Sequence, residues 1–150
     1  MFLLILDKDP VISAEKIPDK IKFKQLIELG QLVCSAGYSD VYKKINQGKE
    51  LQDWVRRNYV WVKKYMTTLY ILCDKVVNMS IKTQRNILDI ISSIPYEIHK
   101  DKDPETAIFR YSKDYKSIFP TNCEITIENA IEEYKKYLVW KKLKGVKGYE

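Results

Sequence analysis

Lys20, Lys24, Glu28, Gln31 and Ser35 recur at helical spacing, and the stretch sets amines and a carboxylate one turn apart beside apolar neighbours. A carboxyl placed among lysines can pass protons, and an amine can act as a nucleophile, so this row supports amine or carboxylate chemistry around Lys20, Lys24 and Glu28, or no chemistry at all. The same spacing is also that of a solvated face built on i, i+4 ion pairs. Two other stretches interleave bases with rings. The first holds Trp54, Arg56, Arg57, Tyr59, Trp61, Lys63, Lys64 and Tyr65. The second, Tyr134 to Tyr149, holds Lys135, Lys136, Lys141, Lys142, Lys144 and Lys147 with Tyr134, Tyr137, Trp140 and Tyr149, and no carboxylate follows Glu133 until Glu150. Lysine neutralises phosphate and an exposed ring stacks on a base, which makes Lys20, Lys24, Arg56, Arg57, Lys63, Lys64, Lys135, Lys136, Trp140, Lys141 and Lys142 the candidate nucleic-acid-binding residues. Rings packed in a core beneath wet bases produce the same pattern.

Several chemistries lack their residues. His99 is the one histidine, and Cys34, Cys73 and Cys123 lie far apart without a C-x-x-C pair, so no zinc site of the usual kind can be drawn and no metal or other cofactor is implied. A serine or cysteine nucleophile lacks a nearby imidazole, and neither G-x-x-x-x-G-K-[ST] nor G-x-G-x-x-G occurs. The cysteines read as reduced thiols in a cytoplasm. The opening MFLLILD is too short and lacks the basic lead of a secretory signal, and no apolar run is long enough to cross a bilayer. The formal charge of +6, from 26 basic and 20 acidic residues, leans toward polyanionic partners. An abundance of lysine, isoleucine, tyrosine and asparagine fits an AT-rich genome such as that of a phage or large DNA virus.

The elements that must position these residues read as one all-α domain over 150 residues, with five or six helices. Phe2 to Leu6 is a short strand or an extended arm, and Asp9-Pro10 caps and starts a first helix. A second helix runs from about Asp19 to Ala36-Gly37 and buries Phe23, Leu26, Ile27, Gly30, Val33 and Cys34. The glycine- and proline-free stretch from Lys49 to Val77 is one long helix or two abutting ones, with Val55, Tyr59, Val62, Met66, Leu69, Cys73 and Val76 as its inner face. Ser80 caps a helix to Ile94, buried through Ile87, Leu88, Ile90, Ile91 and Ile94, and Pro95 stops it. Asp103-Pro104-Glu105 starts a short helix through Tyr115 with Ile108, Tyr111 and Tyr115 on one side. Thr126 caps the last helix, in which Ile127, Ala130, Ile131, Tyr134 and Leu138 face inward.

Short blocks along most of the chain resemble a phage and large-DNA-virus family similar to pyrimidine-dimer DNA glycosylases of the endonuclease V type. They are Asp7-Lys8-Asp9-Pro10-Val11-Ile12, Asp19-Lys20 with Lys24, Glu28, Gln31-Leu32 and Cys34 to Ala36, then Trp54-Val55-Arg56, Lys82-Thr83 and Glu133-Tyr134-Lys135-Lys136-Tyr137. The resemblance implies DNA as partner, base-excision repair as the ancestral activity, and Glu28 as the catalytic acid. The departures are specific. Ile21, Gly37, the Gln47-Gly48 region and Gln84 stand where that family carries histidines, and Phe2 is too bulky for removal of Met1, whose amine would have to replace the N-terminal nucleophile of those enzymes. The expectation is a DNA- or polyanion-binding protein with degraded catalytic equipment. Two rivals stand beside it: an active glycosylase or abasic-site lyase working through an amine and Glu28, and a protein-interaction module, such as a viral inhibitor, whose basic tail meets an acidic host protein.

Overall fold

Leu3 to Leu6 run extended through the middle of the protein, all four buried, yet they pair with no strand. The computed structural model describes residues 3–46 and 48–149. Side chains hold this arm where a sheet would otherwise be needed. The Leu4 N–H donates to Gln25 Oε1 at 3.2 Å, the Leu4 carbonyl accepts from the Tyr65 hydroxyl at 2.9 Å, and the Leu6 N–H donates to Ser13 Oγ at 2.9 Å. Each buried Leu or Ile side chain contributes about 1.5–3 kcal/mol, and the polar partners spare the backbone the cost of leaving water unpaired. Of the two readings of this segment the arm is therefore the one that holds for Leu3 to Leu6, and no N-terminal β element is formed among the described residues.

Six α-helices and two strands follow among the described residues. Helix α1, Pro10–Lys16, starts where the Asp9 carboxylate accepts from the Val11 and Ile12 N–H groups. Helix α2, Asp19–Ser35, ends in a Schellman turn: Tyr38 N–H reaches the Val33 carbonyl, and Gly37 adopts φ 101°, a conformation open to glycine. The stretch after residue 48 divides into α3, Lys49–Arg57, and α4, Tyr59–Val76. Asn58 makes the break by turning its side-chain amide back onto the Trp54 carbonyl at 2.9 Å while its own φ moves to −125°. Helix α5, Ile81–Ser93, carries the Ser80 cap. Helix α6, Ile127–Leu143, carries the Thr126 cap. Val76 and Leu88, both placed inward from periodicity, are 46% and 45% exposed: Val76 is the last residue of α4, and Leu88 lies mid-way along α5 outside the face formed by the buried Ile87, Ile90 and Ile91.

The all-α reading needs one correction. The segment after Pro104 is not a helix through Tyr115 but strand β1, Thr106–Phe109, antiparallel to β2, Cys123–Thr126, with Thr106 opposite Thr126 and Phe109 opposite Cys123. The fold is mainly helical with a small two-stranded sheet. Both edges of β1 are bound, one by β2 and the other by side chains from two helices: Trp54 Nε1–H donates to the Thr106 carbonyl at 2.8 Å, and the Tyr134 hydroxyl donates to the Ile108 carbonyl at 2.8 Å. Those partners lie 52 and 26 residues away, so local propensity was overridden by contacts a short window does not contain. Behind the sheet, Phe109, Tyr111, Tyr115, Tyr134, Tyr137 and Trp140 pack ring to ring.

Candidate anion-binding site around Glu28

Helix α2 brings Lys24 and Glu28 to one side, and the last residues of the chain fold back over them. Leu4, Ile21, Lys24, Gln25, Glu28 and Tyr149 line a cavity of about 10 Å³, room for one water. Glu28 is half-buried, and loss of hydration pushes its carboxyl above the usual carboxylate range, opposed by positive charges that include Lys24, Arg110 and Lys141. Burial likewise pushes the Tyr149 hydroxyl up to about 12. Lys141 sits over two rings, 5.4 Å from the centroid of Tyr137 and 5.3 Å from that of Tyr149, so α6 and the tail together aim its ammonium at this corner.

Tyr149 lines this corner and the charge of Arg110 acts on Glu28; neither was among the sequence candidates for it. Arg110 directly follows β1, and its N–H donates to the Tyr134 hydroxyl at 3.1 Å, which fixes the residue against α6. Its Nη1 is buried without a hydrogen-bond partner among the described residues. That nitrogen also lies 3.1 Å from where a side chain on Gly48 would begin, and Gly48 itself adopts φ 72°. With the segment read as helix, a lone arginine in TAIFRYS gave no signal.

The structure separates the remaining candidates into two groups. In the first, every base has an intramolecular partner. Arg56 donates to the Ala36 carbonyl at 2.9 Å and to Asp53 at 2.6 Å; Arg57 is paired with Glu124; Lys63 donates to the Ile94 carbonyl at 2.6 Å; Lys64 holds both Asp101 oxygens at 2.6 and 2.7 Å. Lys136 belongs here too, lying 3.4 Å from Glu133 and 3.6 Å from Glu132. In the second group, Lys24, Lys135, Lys141 and Lys142 make no ion pair with any described residue. Lys20 is exposed at the start of α2 beside Gly148. Trp140 is partly covered, stacked on Tyr137 at 5.7 Å with Lys144 4.7 Å above its ring.

A second cleft, of about 660 Å³, lies between Arg57, Asn58, the 3-10 turn Ile98–Lys100 and the strands. Its cations Arg57, Lys100 and Lys102 are matched in number by the carboxylates Asp103, Glu105 and Glu124, so its formal charge carries no excess of either sign. His99 is tied to Glu97 at 3.0 Å. Met1, whose amine is the nucleophile that the family resemblance would require, lies outside the described residues, as do Phe2 and Gln47. No group of three or more His, Cys, Asp or Glu residues that could hold a metal ion occurs among the described residues, and no helix among them is long and apolar enough to cross a membrane.

Comparison with known proteins finds no matching family model, no matching curated protein and no matching solved structure.

Proposed function

We propose that this chain is a DNA- or polyanion-binding protein of viral type, working in the cytoplasm or nucleoid of a host cell, and that it descends from the glycosylase-like family its sequence blocks resemble without retaining that chemistry. The observation that carries the reading is the division of its bases. Lys24 on α2 and Lys135, Lys141 and Lys142 on α6 make no ion pair with any described residue, and the charges of Lys24 and Lys141 both act on Glu28, whereas Arg56, Arg57, Lys63 and Lys64 of α3 and α4 each have an intramolecular partner. Phosphate contacts made by such bases release counterions, so affinity must fall steeply with salt. Titration of a labelled duplex at several salt concentrations tests it. Binding that is strong at low salt and collapses as salt rises supports the reading; no binding at low salt turns the assignment toward the protein-interaction module and an acidic host protein.

One observation favours the catalytic rival. Glu28, half-buried with a raised pKa and one turn from Lys24, has the environment of a proton-transfer group beside an amine. Base excision also needs a space that receives an extruded base, and the cavity at Glu28 has room for about one water. Borohydride trapping on abasic duplex decides between the two: a covalent adduct lost on Glu28→Gln establishes the lyase, and no adduct leaves the binding reading.

A further inference from the structure

Leu143, the last residue of α6, is 82% exposed, and Val139, one turn earlier on the same side, is 57% exposed. Ala130, Tyr134 and Tyr137 take the opposite side into the core, so this short apolar ridge is turned outward. Lys135 and Lys142 border it, and Lys144 and Lys147 stand exposed just beyond it; none of the four makes an ion pair with any described residue. No carboxylate follows Glu133 until Glu150. Other exposed apolar side chains lack this setting: Asp74 lies between Ile71 and Val76, and Asp89 adjoins Leu88. A further apolar knob, Ile118, is 88% exposed, and its loop is tied to α6. Ser117 Oγ donates to Glu133 Oε2 at 3.1 Å, and the Tyr115 ring meets those of Tyr137 and Trp140 at 5.0 and 5.2 Å.

We propose that the outer face of α6 docks on the surface of an anionic phospholipid bilayer: Val139, Leu143 and Ile118 enter the boundary between headgroups and acyl chains, while Lys135, Lys142, Lys144 and Lys147 meet the anionic headgroups. Unpaired lysines supply attraction to a negative lipid surface, and apolar side chains standing among them supply burial once they arrive. The contact is peripheral and needs no spanning helix. The end of α6 is suited to it, because three of its last four carbonyls are already bonded: Trp140 accepts from Lys144 N–H at 3.0 Å, Lys141 from Val146 N–H at 3.1 Å and Lys142 from Gly145 N–H at 3.0 Å. Little unpaired backbone is therefore carried toward a medium poor in water. The exposure of Leu143 and Ile118 makes them knobs rather than the walls of a groove. A fluid surface moulds itself around knobs, whereas a folded protein partner has to supply a pocket for each. The inference goes beyond the polyanion reading, with which it shares Lys135 and Lys142, and it is carried by apolar residues for which a phosphate backbone has no use.

The test is co-sedimentation of the whole protein with vesicles of mixed phosphatidylserine and phosphatidylcholine, beside vesicles of phosphatidylcholine alone, with duplex binding measured on the same proteins. The parent should sediment with the anionic vesicles only, and part of that binding should survive raised salt, because apolar insertion is not screened. Val139→Ser combined with Leu143→Ser should lower vesicle affinity at least tenfold, the scale of one lost leucine burial, and leave duplex affinity where it was. Ile118→Ser should lower vesicle affinity by less. Lys135→Gln combined with Lys142→Gln should weaken both ligands. All these side chains are exposed, and circular dichroism checks that each variant keeps its fold. No sedimentation of the parent with anionic vesicles at low salt overturns the lipid site, as does a serine double variant that sediments like the parent or one that loses duplex binding to the same extent. A parent that binds duplex but not vesicles leaves the polyanion reading standing; one that binds anionic vesicles but not duplex overturns that reading and supports this one.

Discussion

The bases of α3 and α4 and the bases around Glu28 carry the same charge and read alike as sequence, basic residues interleaved with rings, but the fold answers them differently. Arg56 and Lys63 cap helix ends, at the Ala36 and Ile94 carbonyls, where a cation also meets the negative end of the helix dipole. Arg57 and Lys64 bridge to Glu124 and Asp101, tying α3 to β2 and α4 to the loop after the 3-10 turn. Around Glu28, Lys141 instead faces two rings, and its charge and that of Lys24 act on a single half-buried carboxyl. A base that already has its acceptor has little left for a ligand. The comparison teaches that a run of basic residues marks binding only where the tertiary structure withholds partners.

The sharpest way to break this comparison is Tyr134→Phe, because one hydroxyl both accepts from Arg110 N–H and donates to the Ile108 carbonyl. Its removal leaves two backbone groups unpaired in the interior and should cost about 2–3 kcal/mol in denaturant unfolding, with DNA affinity falling as well because Arg110 loses its anchor. A stable variant that still binds normally would show that Arg110 is held by other means. Next in size, replacing Lys141, Lys142 and Lys144 together with glutamine should lower duplex affinity by about tenfold or more and flatten its salt dependence, while the melting temperature stays near that of the parent. Unaltered affinity would remove α6 from the binding face.

The opposite pattern is expected on the other side. Lys63→Met keeps the buried stem and deletes the ammonium that serves the Ile94 carbonyl, so stability should fall by about 1 kcal/mol while affinity for DNA is unchanged. A loss of affinity without a loss of stability would place α4 in the binding face after all. The smallest effect is the pH dependence of stability. The folded pKa of Glu28 lies above its unfolded value, so between the two the folded chain binds more protons, and stability contributed by this group falls as pH rises through that window and then levels off. Glu28→Gln should abolish this component, so that subtracting variant from parent stability leaves a difference that declines with pH above the ordinary carboxylate range; a difference that rises instead would mean that the neighbouring positive charges outweigh burial.

Helix identity was legible at several segments that carried their own punctuation, although the same Asp-Pro signal at Asp103-Pro104 precedes a strand. Asp9-Pro10, Ser80 and Thr126 cap helices with their own side chains, and Gly37 ends α2 through its own backbone freedom, so the information lies within a few residues of the boundary. Glu28 beside Lys24 was legible for the same reason, since four residues along a helix is one turn in space. What the neighbourhood of Glu28 contains was not. Arg110 comes from a strand that exists because Trp54 and Tyr134 bind its free edge, and Lys141 and Tyr149 arrive because the tail folds back onto α2. Whether a given lysine is spent on a carbonyl, a carboxylate or nothing depends on partners 31, 37 or 67 residues distant, as for Lys63, Lys64 and Arg57. By itself the sequence determined the six helices that formed, three of their side-chain caps and the pair at the centre of the site, and it set one more helix where β1 stands. Only the tertiary structure decided the sheet, the arginine and which bases remain free, because those depend on long-range pairing that no local periodicity encodes.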